Sequence, residues 1–395
     1  MQKATIKDVN LSHQKVLVRV DFNVPMNNKK EITDETRILE ALPTIKYLLN
    51  QNAKVILISH LGRPDGKVNK DFSLKPVAKR LGELLEGCKI IFAKDTVGED
   101  AISKVQKLKF GQVLILENLR FSPDEENNDE GFAKTLASFA DVFVNDAFGT
   151  AHRKHASTYG VAKFLPSYAG LLMAKEMEML GSVINNPTRP FVAVLGGAKI
   201  KDKITVIERL IDKVDYLIIG GGMAYTFISA LQGKVGASLV DESKIEFAKN
   251  VLIKAYAHKV KIVLPIDEVV ATQIDENAET KIVKTGKTPD GHMALDIGPK
   301  TIKKFSRILK KAKTVLWNGP MGVFEIKKFE NGTKAICELM PTLKATTIVG
   351  GGDSVSAINK FAVKKGITHI STGGGASLKM LEGADMPAIE ILKDK

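Results

Sequence analysis

The sequence predicts an α/β protein of two doubly wound, mainly parallel-sheet (Rossmann-like) domains joined by a single helix. The chain has 395 residues, more than one hydrophobic core serves, so two domains of roughly 150–200 residues are expected. Short continuous apolar runs alternate with helical stretches from end to end. Strands covered by helices on both faces have that character, and strand–helix alternation implies parallel neighbours linked by right-handed crossovers. Near the middle, one strongly apolar helical stretch is closed by two prolines, which marks the boundary.

In the first half the runs predict strands at 16–20, 55–59, 89–92, 113–116 and 141–145, with a helix over 74–85. The stretch "AGLLMAKEMEMLGSVINNPTRP" follows. Leu171, Leu172, Ala174, Met177, Met179 and Leu180 give it helical periodicity, and Pro187 and Pro190 end it. Strands are expected again at 191–195, 216–219, 261–264, 314–317, 346–349 and 368–370, with a helix over 201–211. The domains are therefore drawn at 1–170 and 188–380, with a joining helix at 171–187. No low-complexity tract and no sequence repeat between the halves is seen.

Composition excludes several classes. A hydrophobic fraction of 44% with 26% charged residues is that of a globular chain. No apolar run approaches the ~18 residues of a membrane span. The start, "MQKATIKDVN", lacks the apolar region of a secretory leader. The two cysteines, Cys88 and Cys337, are far apart and suit neither a disulfide framework nor a zinc site, so a reducing cytoplasm is expected. The net charge of +13 has three readings: a solvated Lys-rich surface, an anionic small substrate, or nucleic acid. No basic stripe interleaved with aromatics favours the last.

Four strand ends of the second half carry glycine clusters: "VLGGAKIKDKI", "IIGGGMAYTF", "IVGGGDSVSAINKF" and "ISTGGGASLKML". In open α/β sheets ligands bind at the carboxyl ends of strands, where glycines admit a backbone close to the ligand. The helix that follows offers free N–H groups to phosphate. None of these loops is a Walker A motif. The dinucleotide fingerprint fails because its third glycine falls on Val355, and the "GKT" at Gly286–Thr288 lacks the upstream glycine of a P-loop. Asp353 and Ser354 suit either a helix N-cap or a carboxylate holding Mg2+ against phosphates. Lys199 and Lys203, four apart, share one face of a starting helix, a repulsion that a polyphosphate would relieve. In "VLWNGPMGVFE", Asn318 and Glu325 belong either to a turn or to a nucleotide contact. The first half instead sets polar and cationic groups at its strand ends: Asp21 and Asn23, Arg37, His60 and Arg63, Arg120, then His152, Arg153 and His155. Arginine's planar fork matches carboxylate and phosphate. These residues point to a nucleotide domain, a domain for a small phosphorylated or carboxylated substrate, and phosphoryl transfer by positioning and charge neutralisation.

The motifs "VRVDFNVP", "ITDETRI", "SHLGRP", "ENLRF", "VNDAFGTAHR", "LGGAKIKDKI", "GGGMAYTF", "WNGPMGVFE", "GGGDS" and "STGGGASL" together resemble the phosphoglycerate kinase family, in family order and over about residues 16–383. The resemblance implies reversible conversion of 1,3-bisphosphoglycerate and ADP into 3-phosphoglycerate and ATP, with Mg2+. It implies a phosphoglycerate site at Asp21, Phe22, Asn23, Arg37, His60, Leu61, Gly62, Arg63, Arg120 and Arg153. The implied nucleotide site is Lys203, Asn318, Glu325, Gly351, Gly352, Asp353 and Ser354, with Asp353 on the metal and Glu325 on the ribose. Arg37, Lys199 and Lys203, with backbone N–H groups at Gly373, Gly374 and Gly375, would neutralise the transferring phosphoryl. Neither the nucleophile nor the leaving group needs a general base or acid. The joining helix and "NNPTRP" would serve as a hinge, and residues 381–395 would pack back on the first domain. A cytoplasmic monomer is implied, with neither membrane nor nucleic-acid partner. Two positions depart from the family pattern: Lys379 where an acid is expected, and Ala294 where a glycine is common. The competing reading is a basic nucleic-acid-associated protein on a degenerate kinase fold.

Overall fold

A computed structural model describes residues 2–395. The chain divides into two compact units, Met1–Glu178 with Ala384–Lys395, and Met179–Gly383. Unit 1 is built on β1 (Lys15–Arg19), β2 (Lys54–Ile58), β3 (Ile90–Phe92), β4 (Val113–Ile115), β5 (Val142–Asn145) and β6 (Ser167–Ala169). They form one parallel sheet in the order β3-β4-β2-β1-β5-β6. The continuous apolar runs have a direct cause. Val16, Val18, Val55 and Leu57 pack into one core layer, while Leu17, Ile56, Ile58 and Phe143 pack into another on the opposite face. Successive side chains alternate between faces, and both faces are buried, so the runs are apolar, with buried polar side chains such as Arg19 and Asn145 only at strand ends.

Unit 2 contains β7 (Phe191–Leu195), β8 (Tyr216–Ile219), β9 (Lys261–Val263), β10 (Asp267–Ala271), β11 (Lys281–Lys284), β12 (Met293–Ile297), β13 (Thr314–Asn318), β14 (Thr346–Gly350) and β15 (His369–Ile370). Six of these make a second parallel sheet, β15-β14-β13-β7-β8-β9, and the other three a small antiparallel sheet, β11-β10-β12. The central β7 continues outward through β8 and β9 on one side, whereas β13, β14 and β15 lie on the other. The sheet order therefore reverses between β7 and β13.

Two features escape the apolar-run reading. β6 is three residues, "SYA", too short to register as a run. The antiparallel sheet hides because β10 opens with Asp267 and Glu268, both buried. Asp267 accepts the Lys300 and Thr301 N–H groups at the start of the helix Pro299–Leu309, and Glu268 accepts the Thr288 hydroxyl. Thr288, of the "GKT" stretch, is thus a buried structural residue.

The joining helix spans Leu171–Asn185, and the division between units falls inside it. Its entry is fixed by Asp146, whose Oδ1 accepts the Leu172 and Met173 N–H groups at 2.9 and 3.1 Å. Burial pushes the Asp146 carboxyl up to about 7, against the pull of Thr44 and these two N–H groups. A carboxyl raised in the folded state holds a proton that the unfolded chain has released. Asp146 therefore favours folding below about pH 4, and that contribution is lost as pH rises toward 7. Asp146→Asn keeps an acceptor for the helix but cannot ionise. Relative to the variant, the native chain should lose up to about 4 kcal/mol in urea unfolding between about pH 4 and pH 7. Parallel pH profiles would contradict this assignment.

Candidate active site

In unit 2 the sheet reversal between β7 and β13 creates the crevice where open α/β sheets bind ligands. Leu195 and Asn318 are register partners at the two strand ends. The loops beyond them are tied together: the Gly196 N–H donates to the Asn318 carbonyl at 3.0 Å and the Gly197 N–H to the Pro320 carbonyl at 2.9 Å. A side chain at Gly196 would collide with the Gly319 and Pro320 carbonyls, so only glycine permits this approach. The Lys203 ammonium donates to Asn318 Oδ1. Asn318 is buried, and its Nδ2 is a buried donor with no partner. Burial lowers the Lys203 pKa, and the Asp353 carboxylate opposes that shift.

The "GGGDS" loop rules out the cap reading. Gly351 occupies the N-cap position with φ +88°, and a Cβ there would lie 3.1 Å from the Asn318 amide. Neither Asp353 nor Ser354 caps the helix Gly352–Lys360. Ser354 is buried and its Oγ accepts the Gly319 N–H at 2.6 Å, so its side chain fixes the neighbouring loop. Asp353 is exposed in the first turn. It borders two cavities. One, of about 120 Å3, is lined by Lys199, Lys203, Asn318, Gly351 and Gly352. The other, of about 410 Å3, has largely apolar walls that include Tyr225, Leu239, Ala294 and Val323, with Glu325 as a polar element. Small cationic and larger apolar spaces sharing one carboxylate suit the phosphates and the nucleoside of one ligand.

Three expectations change here. Lys199 and Lys203 do not share a helix face: Lys199 is extended, and Ile200–Lys203 is a 3-10 turn before the α-helix Ile204–Leu210. Both nonetheless line the smaller cavity. The Gly373 N–H donates to Ser371 Oγ at 3.1 Å, and none of Gly373, Gly374 and Gly375 lines either cavity. Lys379 forms an ion pair with Glu382 at 2.7 Å, so local pairing survives the departure at that position. Tyr225 and Asp296 also line the larger cavity; Tyr225 lies in the "IIGGGMAYTF" stretch, whereas Asp296 lies in β12, a strand the apolar runs do not predict.

In unit 1 the strand ends assemble cations. Arg37 enters from the first turn of the helix Thr36–Asn50 and pairs with the mostly buried Asp21. Asn23 Oδ1 accepts the Gly62 N–H at 2.9 Å, and Arg120 donates to the Gly62 carbonyl at 2.9 Å. Arg120 also pairs with Glu126 at 3.1 Å, while its buried Nε has no partner. Arg63 is exposed, and Arg153 donates to His152 Nε2 at 3.2 Å. The charges of Arg63 and Arg153 both act on Arg120. Phe22 and Leu61 prove to be core side chains, with N–H groups bound to Ser59 Oγ and Asn118 Oδ1 at 2.9 and 3.2 Å.

A buried relay behind this surface went unnoticed in the sequence. Arg19 donates to His60 Nδ1 at 3.0 Å and to Ser157 Oγ at 2.8 Å. Ser157 donates in turn to Glu125, through Oγ at 2.6 Å and N–H at 2.9 Å. Arginine has no acceptor atom, so His60 Nδ1 must be unprotonated and Nε2 carries the hydrogen. Burial, with Arg19, Arg120 and Arg37 nearby, holds His60 well below the usual imidazole pKa. His60 is therefore a neutral donor among cations. The signal available in the sequence was an arginine inside a fully buried strand, which demands a buried partner.

Comparison with known proteins adds an independent line. The family model described as Phosphoglycerate kinase matches residues 6–384. The chain is 53% identical over 397 residues to the phosphoglycerate kinase of Pseudothermotoga lettingae, covering 100% of both chains. It is equally 53% identical to the Clostridium novyi enzyme, again with full coverage. Among solved structures it resembles phosphoglycerate kinase from Coxiella burnetii, with a TM-score of 0.89, 39% identity and 98% of each chain covered. For that from Pyrococcus horikoshii the TM-score is 0.84, with 33% identity and 98% of each chain covered.

Proposed function

The chain belongs to the phosphoglycerate kinase family and catalyses reversible phosphoryl transfer between 1,3-bisphosphoglycerate and ADP, giving 3-phosphoglycerate and ATP; on that premise we propose how its residues divide the work. Unit 1 binds the phosphoglycerate, with Arg37, Arg63, Arg120 and Arg153 facing its anionic groups. Asp21 and Asn23 orient it, and His60 donates Nε2–H. Phe22, Leu61 and Gly62 shape this site through their backbone. Unit 2 binds the nucleotide: Lys203, Lys199, Asn318 and the Gly351–Gly352 loop hold the phosphates, while Glu325 contacts the ribose. The observation that carries this reading is the Lys203–Asn318 pair at the sheet reversal, a half-buried cation beside an unpartnered buried amide donor.

Among the described residues no group of three or more His, Cys, Asp or Glu could hold a metal. Asp353, beside a phosphate-sized cavity that Asp202 also lines, fits Mg2+, which binds through one or two carboxylates and keeps phosphate oxygens and water as its other ligands. Bound with the nucleotide, Mg2+ would supply charge neutralisation at the phosphates. The chain's own task is to offset repulsion between anions. Arg37, Lys199 and Lys203 neutralise the phosphoryl in flight, with further N–H donors from the Gly374–Gly375 turn. The attacking ADP oxygen and the departing carboxylate are both stable anions, so no side chain need exchange a proton. In-line transfer requires the two substrates to meet, so the units close about the Leu171–Asn185 helix during turnover.

This division of the work calls on no residue from a second chain, in keeping with a monomeric enzyme. No described helix is long and apolar enough to cross a membrane. A coupled assay of Asp353→Ala tests the partition. The variant should lose about 10^2-fold or more in kcat with Mg·ADP, while 3-phosphoglycerate affinity stays within about twofold. Equal loss of both would show that the sites are wrongly divided between the units.

A further inference from the structure

The net charge of +13 is concentrated in one unit. Unit 1 holds 28 Lys and Arg against 26 Asp and Glu, a net +2, while unit 2 holds 30 against 19, a net +11. Within unit 2, no acid occurs between Asp296 and Glu325. That interval contains the helix Pro299–Leu309, which buries Thr301, Phe305 and Leu309 against the sheet. Its opposite face, continued past the helix end, carries Lys300, Lys303, Lys304, Arg307, Lys310 and Lys311. Their three- and four-residue spacings put them on one stripe, and like charges so placed destabilise a helix. None of the six has an ion-pair partner among the described residues. Lys300 also sits in the first turn, where the helix dipole disfavours a cation.

Sheet topology extends the stripe. β13, β14 and β15 are adjacent, and all run in the same direction. Each is entered past lysine: Lys310, Lys311 and Lys313 before β13, Lys344 before β14, and Lys365 before β15. All five are exposed. In a parallel sheet every such entry lies at the same edge, and neighbouring strands are about 4.8 Å apart. The nucleotide loops follow the other ends of these strands. The basic surface is therefore set at the opposite edge from the active site.

We propose that this edge of unit 2 is a docking surface for the phosphate backbone of nucleic acid. The helix has spent its apolar face on the core, and no large apolar side chain is exposed between Pro299 and Lys313, so nothing anchors it in a lipid layer. Its cations are lysines with a single arginine. Lysines act as point charges suited to phosphate, rather than as the planar forks that select carboxylates. With no aromatic side chain exposed along the stripe, recognition is independent of base sequence. A partner here leaves the substrate sites open, so binding and turnover are separable.

The test is fluorescence anisotropy of a labelled 20-base-pair duplex between 50 and 200 mM KCl. With about five phosphates neutralised, affinity should fall about 500-fold over that range. Combining Lys310→Glu, Lys311→Glu and Lys313→Glu should reduce the salt slope by about three and weaken binding at least about tenfold at 100 mM KCl, with kcat unchanged. The matched control combines Lys29→Glu, Lys107→Glu and Lys109→Glu, exposed positions in unit 1 with the same net charge change. It should bind within about twofold of the native chain. Equal loss in both variants would assign binding to diffuse net charge and overturn the proposal. So would absence of duplex binding at 50 mM KCl, or binding to phosphatidylserine vesicles in its place.

Discussion

Lys203→Met should lower kcat by about 10^3-fold while leaving 3-phosphoglycerate affinity within about twofold. The effect is large because the ammonium is partly buried at the sheet reversal, where a charge acts through a low dielectric and water cannot replace it. Lys199, the other lysine of the small cavity, is exposed and so more screened. Met retains most of the length of the chain and removes the charge, so lost packing is not the cause of the defect. The substitution also strips Asn318 Oδ1 of its donor. A buried carbonyl left unpaired costs about 1–3 kcal/mol, and a lower thermal midpoint should accompany the kinetic loss. Bound nucleotide should recover part of that stability by supplying a ligand to the Asn318 amide. A kcat within about tenfold of the native value, measured in the ATP-forming direction with saturating substrates, would remove Lys203 from the charge-neutralising role.

The parallel sheets were legible because burial on both faces leaves an unbroken apolar signature, as in Val16–Leu17–Val18. The antiparallel sheet was not, because its buried strand β10 begins with two acids whose partners, Thr301 and Thr288, lie 34 and 20 residues away. Local reading cannot pair residues that distant. The same limit explains the site. Glycine loops and strand-end arginines announce themselves by type and place. The Arg19–Ser157–Glu125 relay joins residues separated by 138 and 32 positions. Ser354 illustrates a different limit. Ser354 lines the smaller cavity, but its hydroxyl oxygen also accepts the Gly319 N–H and so fixes the neighbouring loop. Which face of a helix a residue occupies depends on where the cap falls, and Gly351, not Asp353 or Ser354, holds that position.

Arg37→Ala should raise the KM for 3-phosphoglycerate and lower kcat together, with kcat/KM down by about 10^3-fold and nucleotide affinity unchanged. The local structure gives Arg37 little reason to exist. It lies in the first turn of Thr36–Asn50, where the helix dipole disfavours a cation by about 0.3–1 kcal/mol. Its pairing with Asp21 offsets that cost, but the Arg37 side chain is 31% exposed, so the pair contributes roughly 1 kcal/mol or less. The variant also leaves the mostly buried Asp21 carboxylate without its partner, a loss of about 1–3 kcal/mol that is smaller than the roughly 5–15 kcal/mol by which folded proteins are stable. Loss of activity then cannot be ascribed to loss of fold. Asp21→Asn separates the remaining alternatives. If Arg37 acts on the phosphoryl group, releasing it from Asp21 preserves its charge, and kcat should fall less than in Arg37→Ala. If Arg37 serves only to hold Asp21 against the substrate, the two variants should fail alike. Arg37→Lys completes the comparison: it restores charge without the planar fork, so recovery of kcat with a persistently raised KM would assign the fork to binding and the charge to transfer.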